Sequence, residues 1–201
     1  DYYENAASLW EIQALLKMRA IAGNCELGRD FLDRVHSLFL QKRRKEDICA
    51  SIHNMREQAV ALSKHSWKKG TGDDIKTGLG GIREVEFLVQ GLQLLHAPEH
   101  PELIDGHTLN GLRLLREYAV IPELLAEQLR ADYLFLRRIE HYLQILEDRQ
   151  THIIPADEAE QDVLAKRVLG SDANRDEFFQ GLAECRKRVH KAFTEYLPLR
   201  P

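Results

Sequence analysis

With 201 residues, 44% of them apolar and 30% charged, the chain has the make-up of a globular protein able to bury one sizeable core or two small ones. Its formal net charge of −4 offers no long-range pull toward nucleic acid or an anionic membrane. No apolar run is long enough to span a bilayer, and no signal-peptide pattern opens the chain. The three cysteines, Cys25, Cys49 and Cys185, are far apart, odd in number and outside any CxxC pattern, which predicts reduced thiols in a cytoplasmic protein. The first residue is Asp rather than Met, read here as the start of a piece of a longer protein.

Apolar periodicity predicts helix almost throughout. A first helix over residues 2–22 would bury Ala6, Leu9, Trp10, Leu16 and Ile21, with Gly23 and Asn24 as its stop signal. A second, over residues 27–41, places Phe31, Leu32, Val35, Leu38 and Phe39 inward and ends in the basic run 42–45, which could meet a phosphate or an acidic partner but which the helix dipole favours in solvent anyway. The third opens at Glu46 and Asp47, carries Ile48, Ile52, Met55, Ala59 and Leu62, and fades toward Trp67, Lys68 and Lys69. A glycine-rich loop over residues 70–81 follows, in which 75–77 are the one candidate for a short extended segment.

A central helix then runs to Pro98 and Pro101. Thr108 is placed as the N-cap of a short helix carrying Leu109, Leu112, Leu115 and Tyr118. Pro122 starts the longest helix, reaching toward Arg149, whose heptad-like seam of Leu125, Leu129, Leu136, Ile139, Leu143 and Leu146 is interrupted by Asp132. On its other faces Arg137, Arg138, Glu140 and His141 could reach a ligand, and ordinary surface ion pairs are the favoured reading. After Pro155 come a helix over residues 158–169 ended by Gly170 and a last helix capped by Asp172, with Phe178, Phe179, Leu182, Val189 and Phe193 inside. The expected fold is all-α: a helical bundle with a long central helix and a glycine-rich loop before a buried helix. It is treated as a single helical domain, 1–201, with N-terminal helices over 1–69 and the loop and main bundle over 70–201.

The stretch 73–95, DDIKTGLGGIREVEFLVQGLQLL, is the part that the rest would hold. On a helical wheel Ile82, Val85, Leu88, Val89, Leu92 and Leu95 share a broad face, while Glu86, Gln90 and Gln93 form a narrow polar strip with Arg83 at its edge. Buried charge needs a partner, and two readings stay open. Either Glu86 makes a buried salt bridge and Gly80 and Gly81 only loosen the helix entry, or the first N–H groups of the helix, with Lys76 and Arg83, face an anion. His96 and His100 have i, i+4 spacing, but Pro98 lies between them and no metal site is expected. There is no GxSxG, HExxH or Walker loop, and no DxD pair that would hold catalytic magnesium.

Residues 74–95, DIKTGLGGIREVEFLVQGLQLL, resemble the D-[IV]-K-x-G-x-GG-[IL]-R-[ED]-[IV]-EF signature of the bacterial glutamine synthetase adenylyltransferase and adenylyl-removing enzymes. WEIQALLKMRAIAG at 10–23 and ADYLFLRRIEHYLQILEDRQTHIIP at 131–155 are similar to two further segments of that family, in the same order. Met18, Thr77 and Ile12 depart from the usual alanine, leucine and arginine.

The resemblance implies a helical domain following a nucleotidyltransferase part, related to one in PII uridylyltransferases. In that family the first half removes AMP from a tyrosine of glutamine synthetase by phosphorolysis, releasing ADP, and the second attaches AMP from ATP. The Arg83-Glu84 form and LFLRRIEHYLQ look more like the first half. Implied cofactors are Mg2+ and ATP or ADP, held mainly by the nucleotidyltransferase part, with none expected on this piece alone, which is expected to be inactive by itself. Implied partners are glutamine synthetase, the PII signal protein, ATP or ADP and phosphate. Lys76, Gly80, Gly81 and Arg83 are then the phosphate- or nucleotide-binding candidates, Glu86 the catalytic candidate, and Lys17 and Arg19 a second rank. A non-catalytic docking module for glutamine synthetase or PII, and the equivalent domain of a PII uridylyltransferase, are the alternatives.

Overall fold

The computed structural model describes residues 2–66, 73–147 and 152–199, except for the side chains at positions 4, 62–66 and 146–147. The fold is all-α. In chain order the helices are α1 (Tyr2–Asn5), α2 (Leu9–Leu15), α3 (Cys25–Phe39), α4 (Lys45–Ser66), α5 (Ile82–His96), α6 (Thr108–Glu117), α7 (Glu123–Glu147), α8 (Glu158–Leu169) and α9 (Arg175–Tyr196). Among the described residues the sole ladder contact is an isolated antiparallel bridge between Asp74 and Ile153. Residues 75–77, the candidate extended segment, form a turn instead. Leu62 and Leu146 fall outside the described side chains, and Trp67, Lys68, Lys69 and Arg149 outside the described residues.

Several helix ends lie elsewhere than the sequence predicts. The single helix expected over 2–22 is two short ones, because Glu11 turns back to accept the Ser8 N–H at 2.8 Å and starts α2 afresh. Beyond Leu15 the amides of Leu16, Lys17 and Met18 bond three residues back, a tightening that ends the helix. Ala6, Trp10 and Ile21 are consequently exposed, and so is Phe31 on α3. Asn24 caps α3, its side chain accepting from the N–H groups of Glu26 and Leu27 at 2.9 and 3.1 Å. Thr108 lies inside the first turn of α6, whose entry is organised by Asp105 through the His107 N–H at 2.6 Å and the Asn110 side chain. Asn174, not Asp172, caps α9, in a reciprocal pair with Glu177.

Two compact units divide the chain: Asp1–Met55 with Phe87–Ala126 and Tyr196–Pro201, and Arg56–Glu86 with Glu127–Glu195. The first buries Ile12, Val35, Phe39, Ile48, Ile52, Leu92, Leu112 and Leu115. There Gln13 donates to Gln90 at 2.6 Å and Gln93 donates to the carbonyls of Leu103 and Asp105, so two members of the polar strip serve core hydrogen bonding. The second unit buries Ile75, Ile82, Leu129, Leu136, Ile139, Leu164, Phe178, Val189 and Phe193. Asp132, the break in the α7 seam, is also buried there and is met by Arg188 through two bonds of 2.7 and 3.1 Å. Of the cysteines, all three free, Cys49 and Cys185 are buried; burial pushes the Cys185 thiol far up, with the Asp132 charge beside it.

Candidate functional site

The loop ahead of α5 is shaped by Asp74. Its carboxylate accepts from the Lys76 and Thr77 N–H groups at 2.8 and 2.9 Å and from the Thr77 hydroxyl at 2.6 Å, closing an Asx turn. The Arg186 guanidinium, from α9, pairs with Asp73 and donates to the Asp74 carbonyl. Gly80 has φ of +67°, and a Cβ there would run into the Arg186 main chain. The glycine therefore lets the loop lie against the α9 backbone.

The amides at the helix entry are satisfied from within. Gly80 N–H donates to Glu84 at 3.0 Å, Gly81 to the Gly78 carbonyl, Ile82 to Ile75, Arg83 to Lys76 and Glu84 to Gly81. With each amide engaged by a protein acceptor, cationic side chains are the groups left to meet an outside anion. Glu84 is the buried charge at this entry. Its side chain, 1% exposed, meets Arg56 Nε at 2.5 Å, His190 Nδ1 at 3.0 Å and the Gly80 amide.

Glu86 lies on the polar strip and divides its oxygens. One accepts from Arg83 at 3.2 Å and the other from the Tyr133 hydroxyl at 3.3 Å, and Arg83 itself is 41% exposed. The second charged group of the loop, Lys76, places Nζ 3.3 Å from Glu140 of α7. Glu140, expected at the surface, is buried, because Arg137 at 2.8 Å, Lys76 and His152 at 3.4 Å all converge on it. The His152 imidazole is pushed below its usual value by burial and by the positive charge of Lys76 and, least, of Arg83, against the opposing pull of Glu140 and Asp74.

Lys76, Arg83 and Glu86 thus belong to one unit, with Gly80 and Gly81 in the loop between them. Lys17 and Arg19 belong to the other unit; Lys17 Nζ lies 3.5 Å from the Thr108 hydroxyl, and Arg19 is exposed. Among the described residues no set of His, Cys, Asp and Glu side chains is arranged to hold a metal ion. The His100 ring packs on Tyr118 with centroids 5.0 Å apart. Sequence reasoning missed Glu84 and His152 and favoured a surface ion pair for Glu140. A signal for Glu84 existed in its i+4 spacing from Gly80, that of a helix-entry acceptor; Glu140 and His152 meet through the fold, and no local pattern announces them.

The family model described as GlnD PII-uridylyltransferase matches residues 50–197. Curated relatives include proteins named bifunctional glutamine synthetase adenylyltransferase/adenylyl-removing enzyme. That of Methylococcus capsulatus is 34% identical over 196 residues, covering 98% of this chain and 20% of the relative. That of Xanthobacter autotrophicus is 35% identical over 199 residues, covering 99% and 20%, and that of Rhizobium meliloti 39% over 159 residues, covering 79% and 16%. The chain spans about a fifth of the length of such relatives. On the strength of a match across most of its length, the chain belongs to the GlnD PII-uridylyltransferase family, and its resemblance to the bifunctional glutamine synthetase adenylyltransferases extends over nearly all of its residues.

Proposed function

We propose that this chain is the helical domain of a bifunctional enzyme that adenylylates and deadenylylates a tyrosine of glutamine synthetase, and that it lines the nucleotidyltransferase cleft of the deadenylylating half. In this reading Lys76 and Arg83 hold phosphate or adenylyl oxygens as fixed charges that stabilise the transferring group. A phosphate oxygen forms a bond to the adenylyl phosphorus while the tyrosine oxygen leaves with its electron pair and takes up a proton, giving ADP. Magnesium and most of the nucleotide fall to the nucleotidyltransferase part of the longer protein. Glu86 acts on Arg83, keeping its guanidinium aimed.

The observation that carries this reading is the Arg83–Glu86 pair at 3.2 Å, half-exposed at the arginine and buried at the glutamate, inside the segment that bears the family signature. A uridylyltransferase parent is the second reading, favoured by the description of the matching family. Calorimetric titration of this chain, and of a longer protein that includes its nucleotidyltransferase part, with ADP, ATP and phosphate tests the first. Binding that needs the longer protein and falls in the Arg83→Ala, Glu86→Ala double variant is the expected result. Equal binding with and without the substitutions would return the strip to a purely structural role and favour a docking module.

A further inference from the structure

Glu140 has more cationic neighbours than a single carboxylate needs. Its Oε2 takes Arg137 at 2.8 Å, while Oε1 has Lys76 Nζ at 3.3 Å and His152 Nδ1 at 3.4 Å. Despite those approaches, Oε1 of Glu140 and Nδ1 of His152 are both buried without a hydrogen-bond partner among the described residues. Two buried polar atoms left in this way at one point are uncommon in a folded protein; a carboxylate oxygen only accepts, so a proton on His152 Nδ1, 3.4 Å away, is what would satisfy both and leave the N–H groups of Lys76 and Arg137 free to turn elsewhere. Lys76 brings three N–H donors and Arg137 five, far more than Glu140 can accept.

The charges facing His152 can be summed by element. The loop contributes Asp74 and Lys76, α5 contributes Arg83 and α7 contributes Glu140; behind them Glu86 pairs with Arg83 and Arg137 with Glu140. Three cations then meet three anions, and the Asp74 carboxylate is already turned inward to its own turn. The group is neutral with a neutral imidazole and turns positive when His152 is protonated.

We propose that Glu140 gathers Lys76, Arg137 and His152 into an oxyanion subsite for a tetrahedral phosphate-type dianion, filled together with uptake of a proton by His152. It rests on the cleft reading for its biological ligand, either free phosphate or the terminal phosphoryl group of a nucleotide. Arg137, Glu140 and His152 are additional to the Arg83–Glu86 pair, and Lys76 is common to both. Lys76 and Arg137 supply charge-assisted donors to the anion, protonated His152 supplies the third, and Glu140 is the positioning residue that keeps all three from dispersing into solvent.

Sulfate is the suitable first probe, because it stays doubly charged across the range in which histidine titrates. Binding of sulfate to this chain is measured by calorimetry between pH 5.5 and 8 in two buffers of different protonation heat, with the His152 imidazole followed by NMR. Sulfate is expected to bind more tightly at the acidic end, with uptake of about one proton at most. His152→Gln removes the proton uptake, and Lys76→Gln or Arg137→Gln weakens binding about tenfold, the usual consequence of losing one charged hydrogen bond. Parallel titrations with phosphate and ADP separate the two sources: a response to these variants shared by ADP places its terminal phosphoryl group here, and one confined to phosphate and sulfate assigns the free ion. No sulfate binding, or binding indifferent to pH and to both Lys76→Gln and His152→Gln, overturns the subsite. If Arg137→Gln and His152→Gln, which touch the subsite alone, are silent while the Arg83→Ala, Glu86→Ala protein loses nucleotide, the cleft reading stands without it; the opposite pattern leaves the subsite and removes the cleft reading.

Discussion

Glu84 and Glu86 are two residues apart at the start of α5, and both are buried, yet they keep different company. Glu84 is held mainly from inside: Arg56, with a side chain 15% exposed, and the Gly80 amide occupy its oxygens, joined by the 39% exposed His190 from α9. Glu86 binds the half-exposed Arg83 and the Tyr133 hydroxyl. Burying a charge costs several kcal/mol unless partners offset it, so both must be paired, but the direction of the pairing differs. At Glu84 the guanidinium and the amide are drawn inward and, with His190, tie the loop, α4, α5 and α9 together. At Glu86, and again at Glu140, the acid sits inside and its cations reach outward, an arrangement that fixes donors at a surface.

Substitutions should separate an inward-facing scaffold from an outward-facing donor set. The largest effect is expected at Gly80→Ala, which forces a positive φ on alanine and drives its Cβ into the Arg186 main chain. Urea unfolding should show a loss of about 4 kcal/mol, the sum of left-handed strain and overpacking. A loss under about 1 kcal/mol would mean that the loop can leave α9 freely. Next, Glu84→Ala should cost about 3 kcal/mol, because Arg56 and His190 lose their common acceptor. Glu86→Ala should cost only about 1 kcal/mol, since Arg83 can turn to water. Under the proposed function, in a longer protein that includes the nucleotidyltransferase part, the order reverses for turnover among well-folded protein: Glu86→Ala is the more damaging. Matching losses of stability at the two positions would erase the distinction drawn between them.

The helices were readable where apolar spacing was long and bounded by strong punctuation. Residues 158–169 with Gly170 at the end coincide with α8, and its Asp157 cap accepts the Glu160 amide at 3.0 Å. The all-α class and the family were legible too, the latter through GGIREVEF and its two companion segments. The N-terminal helix failed because its periodicity was thin: a capping serine four residues after Glu4 outweighs a few scattered apolar positions. Around the site, the wheel marked Glu86 and Arg83 but could not rank Glu84, whose partners lie 28 and 106 residues away. Glu140 was read as a surface charge because Lys76 and His152 reach it only after the loop and α7 have met. Long-range pairing of this kind leaves no period in the sequence.

The smallest predicted effect concerns pH, and its sign follows from the side on which His152 is perturbed. Burial holds the folded imidazole below its ordinary value of 6.5, so the unfolded chain binds the proton more readily. The stabilisation from keeping it neutral is complete above the ordinary value and is lost as pH falls from there through the depressed folded value. Urea unfolding at pH 7.5 and 5.5 should therefore show wild-type protein losing more stability on acidification than His152→Gln does. Saturating sulfate should oppose that loss in the wild type and leave the variant's slope unchanged, because an anion beside Lys76 and Arg137 favours the charged imidazole. Equal slopes for the two proteins without sulfate would mean that Glu140 and Asp74 already balance the burial. Unequal slopes that sulfate fails to alter would assign the histidine to the inward-facing kind of pairing seen at Glu84.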